Sequence, residues 1–111
     1  MAAIANLRID QGASFSSDVT VTNSAGDVVD LTGYTTSAKM AKSYGASSSV
    51  TITSALASDP TTGVVELTLT DSQTEALDAP ARYVYDVYIT QTSTSTVTRV
   101  IEGVITVNPK V

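Results

Sequence analysis

An antiparallel β-sandwich of about seven short strands, with one brief helical turn, is the architecture this sequence specifies. Apolar and polar residues alternate with a period of two over most of the chain, as strands with one buried face require. Gly, Pro, Asp and Ser interrupt that alternation about every dozen residues. Val, Ile, Thr and Tyr fill the alternating stretches, and β-branched and aromatic residues suit a pleated, half-buried surface.

The first strand is expected over Ile4–Ile9, where Leu7 and Ile9 share a face opposite Arg8 and Asp10. The second, Phe15–Thr22, places Phe15, Val19 and Val21 on one side. Asn23–Asp27 reads as a turn, with Gly26 free to take positive φ. Val28–Gly33 leads into a strand over Tyr34–Lys42, with Tyr34, Thr36, Ala38 and Met40 facing one way and Lys39 the other. Ser43–Ser49 is small and polar, hence an exposed loop. Val50–Thr53 begins a fourth strand, and Asp59–Gly63 makes a tight turn. Val65, Leu67 and Leu69 point inward from the next strand, opposite Glu66, Thr68 and Thr70.

Asp71 or Ser72 is expected to cap a single helical turn, because Ser72 and Glu75 have capping-box spacing. Leu77 would close that turn onto the core and Pro80 would stop it. The strongest strand, Arg82–Ile89, puts Tyr83, Tyr85, Val87 and Ile89 on one face and Val84, Asp86 and Tyr88 on the other. Gln91–Thr96 forms a polar hairpin loop, and Val97–Val107 returns as the last strand. Its alternation stumbles at Gly103, where a β-bulge is expected.

Composition narrows the function. The chain has no histidine, cysteine or tryptophan. That removes the usual general base near neutral pH, the thiol nucleophile and the common zinc ligands. Residues 1–111 are expected to form one domain with a core that needs no disulfide. The start, Met1-Ala2-Ala3-Ile4, lacks a basic segment followed by an apolar run, and no stretch is long enough to span a bilayer. The expectation is synthesis in the cytoplasm and no membrane partner. Six basic residues stand against eleven acidic ones, a formal charge of −5, and the basic ones are scattered. Phosphate recognition needs a concentrated positive field, so nucleic acid is not an expected partner.

The residues that remain offer few candidate sites. Carboxylates are the only plausible catalysts or hard-metal ligands, with Asp27 and Asp30 flanking Val28-Val29 and Asp71, Glu75 and Asp78 gathered around the helical turn. Turn and capping roles account for them better than acid–base catalysis or a calcium site, which needs six to eight oxygens. No Gly-x-Ser-x-Gly, Ser-x-x-Lys or glycine-rich phosphate loop is present. Catalytic, cofactor and metal residues are therefore expected to be absent. Tyr83 and Tyr85 are expected in the core, with one hydroxyl bonded to backbone. Tyr44 and Tyr88 are expected to be exposed and are candidate partner contacts. Asp86 and Arg99 join them, with Glu102 and Arg82 as neighbouring charges on the outward face. Without tryptophan, a stacking platform for sugar rings has little support.

A sequence of motifs resembles a known family. Gln11-Gly12-Ala13-Ser14-Phe15 is followed by Val19-Thr20-Val21, and then by Gly26-x-x-Val29-Asp30-Leu31-Thr32-Gly33-Tyr34. Asp59-Pro60-Thr61-Thr62-Gly63-Val64-Val65 and Leu67-Thr68-Leu69-Thr70 come next. Leu77-x-x-Pro80-Ala81-Arg82-Tyr83-Val84-Tyr85-Asp86-Val87 and Glu102-Gly103 complete the series. Together they resemble the Ig-like domain at the N-terminus of phage baseplate upper and related virion proteins. Ala81 stands where that family usually has glycine.

The resemblance implies an Ig-like sandwich and a virion component without enzymatic activity. In the longer relatives the domain is an attachment module followed by a shaft and a receptor-binding tip, whereas here Val111 comes directly after the last strand. A small capsid decoration or cement protein is therefore expected, bound outside the shell to the major capsid protein and stabilising it. Cyclic homo-oligomers, most naturally trimers at three-fold positions, would follow from such a site. The alternatives are a tail or baseplate adaptor, and a displayed module that binds a host receptor or surface glycan. Ile4–Ile9 or Val104–Val107 is the candidate docking edge.

Overall fold

The alternating stretches become strands: β1 (Ala3–Ile4), β2 (Leu7–Asp10), β3 (Phe15–Thr20), β4 (Tyr34–Ala41), β5 (Val50–Leu56), β6 (Val64–Leu69), β7 (Ala81–Gln91) and β8 (Thr96–Asn108). A 3₁₀ turn (Pro60–Thr62) precedes β6, and a short helix α1 (Asp71–Glu75) follows it. This computed structural model describes residues 3–23, 25–46 and 49–110. Part of the chain start (Met1, Ala2), Ser24 of the first turn, Ser47 and Ser48 of the polar loop, and Val111 lie outside the described residues.

β7 is central, antiparallel to β4 on one side and to β8 on the other. The first part of β5, Val50–Ile52, pairs with β4; the remainder, Thr53–Leu56, crosses over to pair with β6. β6 in turn pairs with β3. β1 and β2 share one lane beside β8, so the strands of an 8-stranded sheet occupy seven lanes, bent over at β5. The ladders β3·β6, β4·β7 and β7·β8 are those of strands B·E, C·F and F·G in an immunoglobulin-like sandwich.

The expectation of a purely antiparallel sheet needs correction, because β1 and β2 run parallel to β8. Only a hairpin connection obliges neighbouring strands to run antiparallel. β2 has no hairpin partner: the chain passes from it into β3, which pairs with β6 in the other layer. The Ile4–Ile9 strand is also broken, at Ala5–Asn6, where the Asn6 side-chain carbonyl takes the Val104 N–H at 3.1 Å.

The inward faces meet in one core. Phe15, Val19, Val65, Leu67 and Leu69 from one layer are buried with Met40, Tyr85, Val87, Ile101 and Ile105 from the other. Burying each such side chain contributes roughly 1.5–3 kcal/mol. Leu77 closes one end of the core, as its spacing after the helical turn required. Both core tyrosines bond to backbone: the Tyr83 hydroxyl accepts from the Asp78 N–H at 3.0 Å, and the Tyr85 hydroxyl donates to the Ala5 carbonyl at 2.5 Å.

Three local expectations are revised. The helix cap is Thr70, not Asp71 or Ser72: its hydroxyl accepts from Gln73 N–H while the Gln73 side chain takes the Thr70 N–H. Thr70 leaves β6 still extended (φ −75°, ψ 163°), whereas Asp71 and Ser72 are already helical. The bulge lies away from Gly103. Val87 pairs with Ile101 and Tyr88 with Arg99, so Val100 is the extra residue. Gly103 keeps regular register opposite Tyr85, and its lack of a side chain admits the β1–β2 crossing instead. Finally, Val104–Val107 is no edge, since β7 and β2 flank it; in β8 it is Thr96–Arg99 that pairs on one side only among the described residues.

Candidate functional site

The outward face of β4, β7 and β8 gathers the residues that sequence reasoning selected as partner contacts. Strand register orders it in rows. Ala41, Val84 and Val104 form an apolar row; Lys39, Asp86, Glu102 and Ile4 form a charged row that ends on an aliphatic residue. Ser37, Tyr88 and Arg99 form the next. The outward residues of β7 (Val84, Asp86 and Tyr88) are half-buried rather than fully exposed, because β4 and β8 flank the central strand on both sides.

Tyr44 rises over this face from the turn after β4. Ala46 N–H donates to the Ser43 carbonyl at 3.2 Å, closing a turn around Tyr44 and Gly45. The Tyr44 side chain is 57% exposed. On one side it borders an open hollow of about 240 Å³ with Lys39, Val84, Asp86 and Tyr88. On the other it borders a second hollow of about 320 Å³ with Ile4, Val84, Glu102 and Val104. Ile4 is 75% exposed, so the second hollow is largely aliphatic.

Tyr44, Asp86 and Tyr88 thus line one hollow. Arg99 is outside it, opposite Tyr88 in register, and pairs with Glu102 at 3.4 Å. Lys39 belongs to the same face without being a candidate contact in the sequence, and Ile4 and Val104, from the expected docking edges, join it as residues of the face. Their outward apolar or cationic character was legible, yet only cross-strand register places them beside Val84 and Asp86. Beneath the face, burial, with a smaller effect from nearby Tyr44, pushes the Tyr85 phenol up to about 12. Its hydroxyl stays a donor to Ala5.

The carboxylates weighed as clusters go elsewhere. Asp30 accepts both the N–H (2.9 Å) and the hydroxyl (2.6 Å) of Thr32, which hold its carboxyl below the usual range. Asn23, not Asp27, organises its turn, taking the Ala25 and Asp27 N–H groups. Asp71 accepts from the Ser72 N–H, Glu75 meets Lys110, and Asp78 meets Lys42 at 2.7 Å. That pairing with Asp78 raises the Lys42 ammonium. The β4–β7–β8 face offers phenols, aliphatic surface and paired charges, which is contact chemistry for another protein surface.

No protein-family model and no curated protein sequence matches the chain. Among solved structures it is similar to the extracellular domain of the voltage-gated sodium channel beta4 subunit, described as forming parallel homodimers that explain a role in cell–cell adhesion. The two share 11% identity at a TM-score of 0.44, over 100% of this chain and 96% of that one. The immunoglobulin-like description given above rests on the strand pairings and not on this likeness.

Proposed function

We propose that the protein is a non-enzymatic structural component of a bacteriophage virion: a small decoration protein that docks outside the capsid shell and stabilises it. The observation that carries the docking half of this reading is the gathering of Tyr44, Tyr88, Ile4, Val84 and Val104 on one outward face. Aromatic and aliphatic side chains rimmed by charges are the composition of a protein-contact surface. The virion setting rests on the motif series described above, from Gln11 to Gly103.

A ligand that binds only the assembled lattice stabilises it by mass action, and bridging adjacent subunits makes the effect cooperative across the shell. The major capsid protein is the proposed partner, and a trimer is the proposed assembly at three-fold positions. Copy number per particle, by quantitative mass spectrometry against the major capsid protein, tests the reading. Hundreds of copies support decoration. A handful, in multiples of three or six, replaces it with a tail or baseplate adaptor. None at all overturns the virion assignment.

A further inference from the structure

We infer that this chain associates with copies of itself head to tail, the Arg8–Arg82 face of one copy against the Asp18–Glu66 face of the next. This contact joins opposite outer faces, so it goes beyond the proposed function as a self-association separate from the proposed three-fold trimer.

Among the described residues the fold leaves some charges without a counter-ion. Of the six basic residues, Lys42, Arg99 and Lys110 each hold a carboxylate, and Lys39 registers beside Asp86. Arg8 and Arg82 remain. Both register against Thr106, one from β2 and one from β7, and both are exposed on the outward side of that layer. Asp10, two residues from Arg8, accepts from the Asn108 side-chain amide at 3.2 Å and makes no ion pair with Arg8 among the described residues.

The other layer has the opposite problem. Asp18 and Glu66 are directly paired across β3·β6, both exposed, with Ala55 on the far side of Glu66. Like charges directly opposite in a ladder repel. No cation on that layer relieves them, because β3, β5 and β6 contain no lysine or arginine. Among the described residues, the sandwich therefore carries two arginines without an ion pair on one outer face and two carboxylates without one on the other.

Geometry suits their meeting. Asp18 and Glu66 sit on adjacent strands, about 5 Å apart, and Arg8 and Arg82 flank Thr106 at about 10 Å. Guanidinium stems are long enough to reach in over the small Thr106 side chain, so each fork can take one carboxylate. Because the two faces differ, the contact is heterologous. It closes into a ring where the rotation allows and otherwise extends. Exposed ion pairs drive it, so it is sensitive to salt.

Sedimentation velocity on the 111-residue chain, at high protein concentration in low salt and in roughly 1 M salt, tests the inference. The native chain is expected to sediment as oligomers in low salt and as monomers in high salt. Arg8→Glu/Arg82→Glu and Asp18→Arg/Glu66→Arg are each expected to be monomeric. Mixing the two variants, or combining all four substitutions in one chain, is expected to restore association. A native chain that is monomeric in low salt overturns the inference, as do reversal variants that associate like the native chain or fail to recover on mixing. Copy number on particles is read separately. A monomer found in hundreds of copies sinks only this contact, and an oligomer absent from particles sinks only the virion reading.

Discussion

Gly103 and Ala5 approach so closely that a Cβ on Gly103 would lie 2.2 Å from the Ala5 carbonyl oxygen and 2.8 Å from its carbon. The same carbonyl accepts the Tyr85 hydroxyl at 2.5 Å, and the Ala5 N–H donates to the Glu102 carbonyl at 2.9 Å. The N-terminal lane is thus locked at its own interruption. A missing side chain makes the space, and a buried phenol fills the acceptor.

Gly103→Ala forces that backbone apart, since no flexible side chain is available to yield. Overpacking of this kind costs about 1–3 kcal/mol. Urea unfolding is expected to show a lower midpoint with an unchanged slope. Hydrogen exchange should accelerate first at the amides of β1 and β2. Uniform acceleration across β7 would contradict the local account.

Tyr85→Phe leaves the Ala5 carbonyl without its hydroxyl donor, at a cost of about 1–3 kcal/mol. It also changes the response to alkali. Burial, aided by Tyr44, raises the phenol from 10.0 to about 12, so the folded state keeps a proton that the unfolded chain has released. Stability from this group is complete below the unfolded value of 10.0 and is lost as pH rises through about 12. The phenylalanine variant should therefore be less stable at neutral pH and lose less between those limits. Thermal midpoints that fall in parallel for both proteins would refute the linkage.

Thr74 is fully buried; its hydroxyl accepts the Gly12 N–H at 3.1 Å and lies 2.8 Å from the Ala13 carbonyl, to which it donates. It ties α1 to the connection between β2 and β3. Thr74→Val keeps the shape and strands both backbone groups, for an expected loss of about 1–3 kcal/mol. Thr74→Ser retains the hydroxyl and is expected to lose less. A loss confined to Thr74→Ser in chemical denaturation, with Thr74→Val as stable as the native chain, would mean the methyl, not the hydrogen bonds, matters.

Tyr44→Ala is expected to leave folding stability within about 0.5 kcal/mol, because the side chain is largely exposed. Its binding to particles should weaken by about ten-fold or more if the β4–β7–β8 face docks. Tyr88→Ala should weaken binding similarly. Binding of each variant to stripped particles, compared with the native protein, checks this, and undiminished binding places the docking surface elsewhere.

Which residues face inward was legible from the chain itself. Tyr83, Tyr85, Val87 and Ile89 are buried because strand periodicity is a local property of consecutive residues, and Tyr44 is exposed because it sits in a small, polar turn. The turn at Gly26, the Asp59–Gly63 turn and the closure by Leu77 follow from equally local backbone chemistry. Local pattern also placed Asp86 and Tyr88 on the face opposite the core. It could not say what stands beside them. The parallel lane at β8, the close approach at Gly103, the displaced bulge and the paired Asp18 and Glu66 all depend on register between strands far apart in sequence. Register is set when whole faces pack together, and two strands with the same alternation remain equally ready to pair until the core chooses between them.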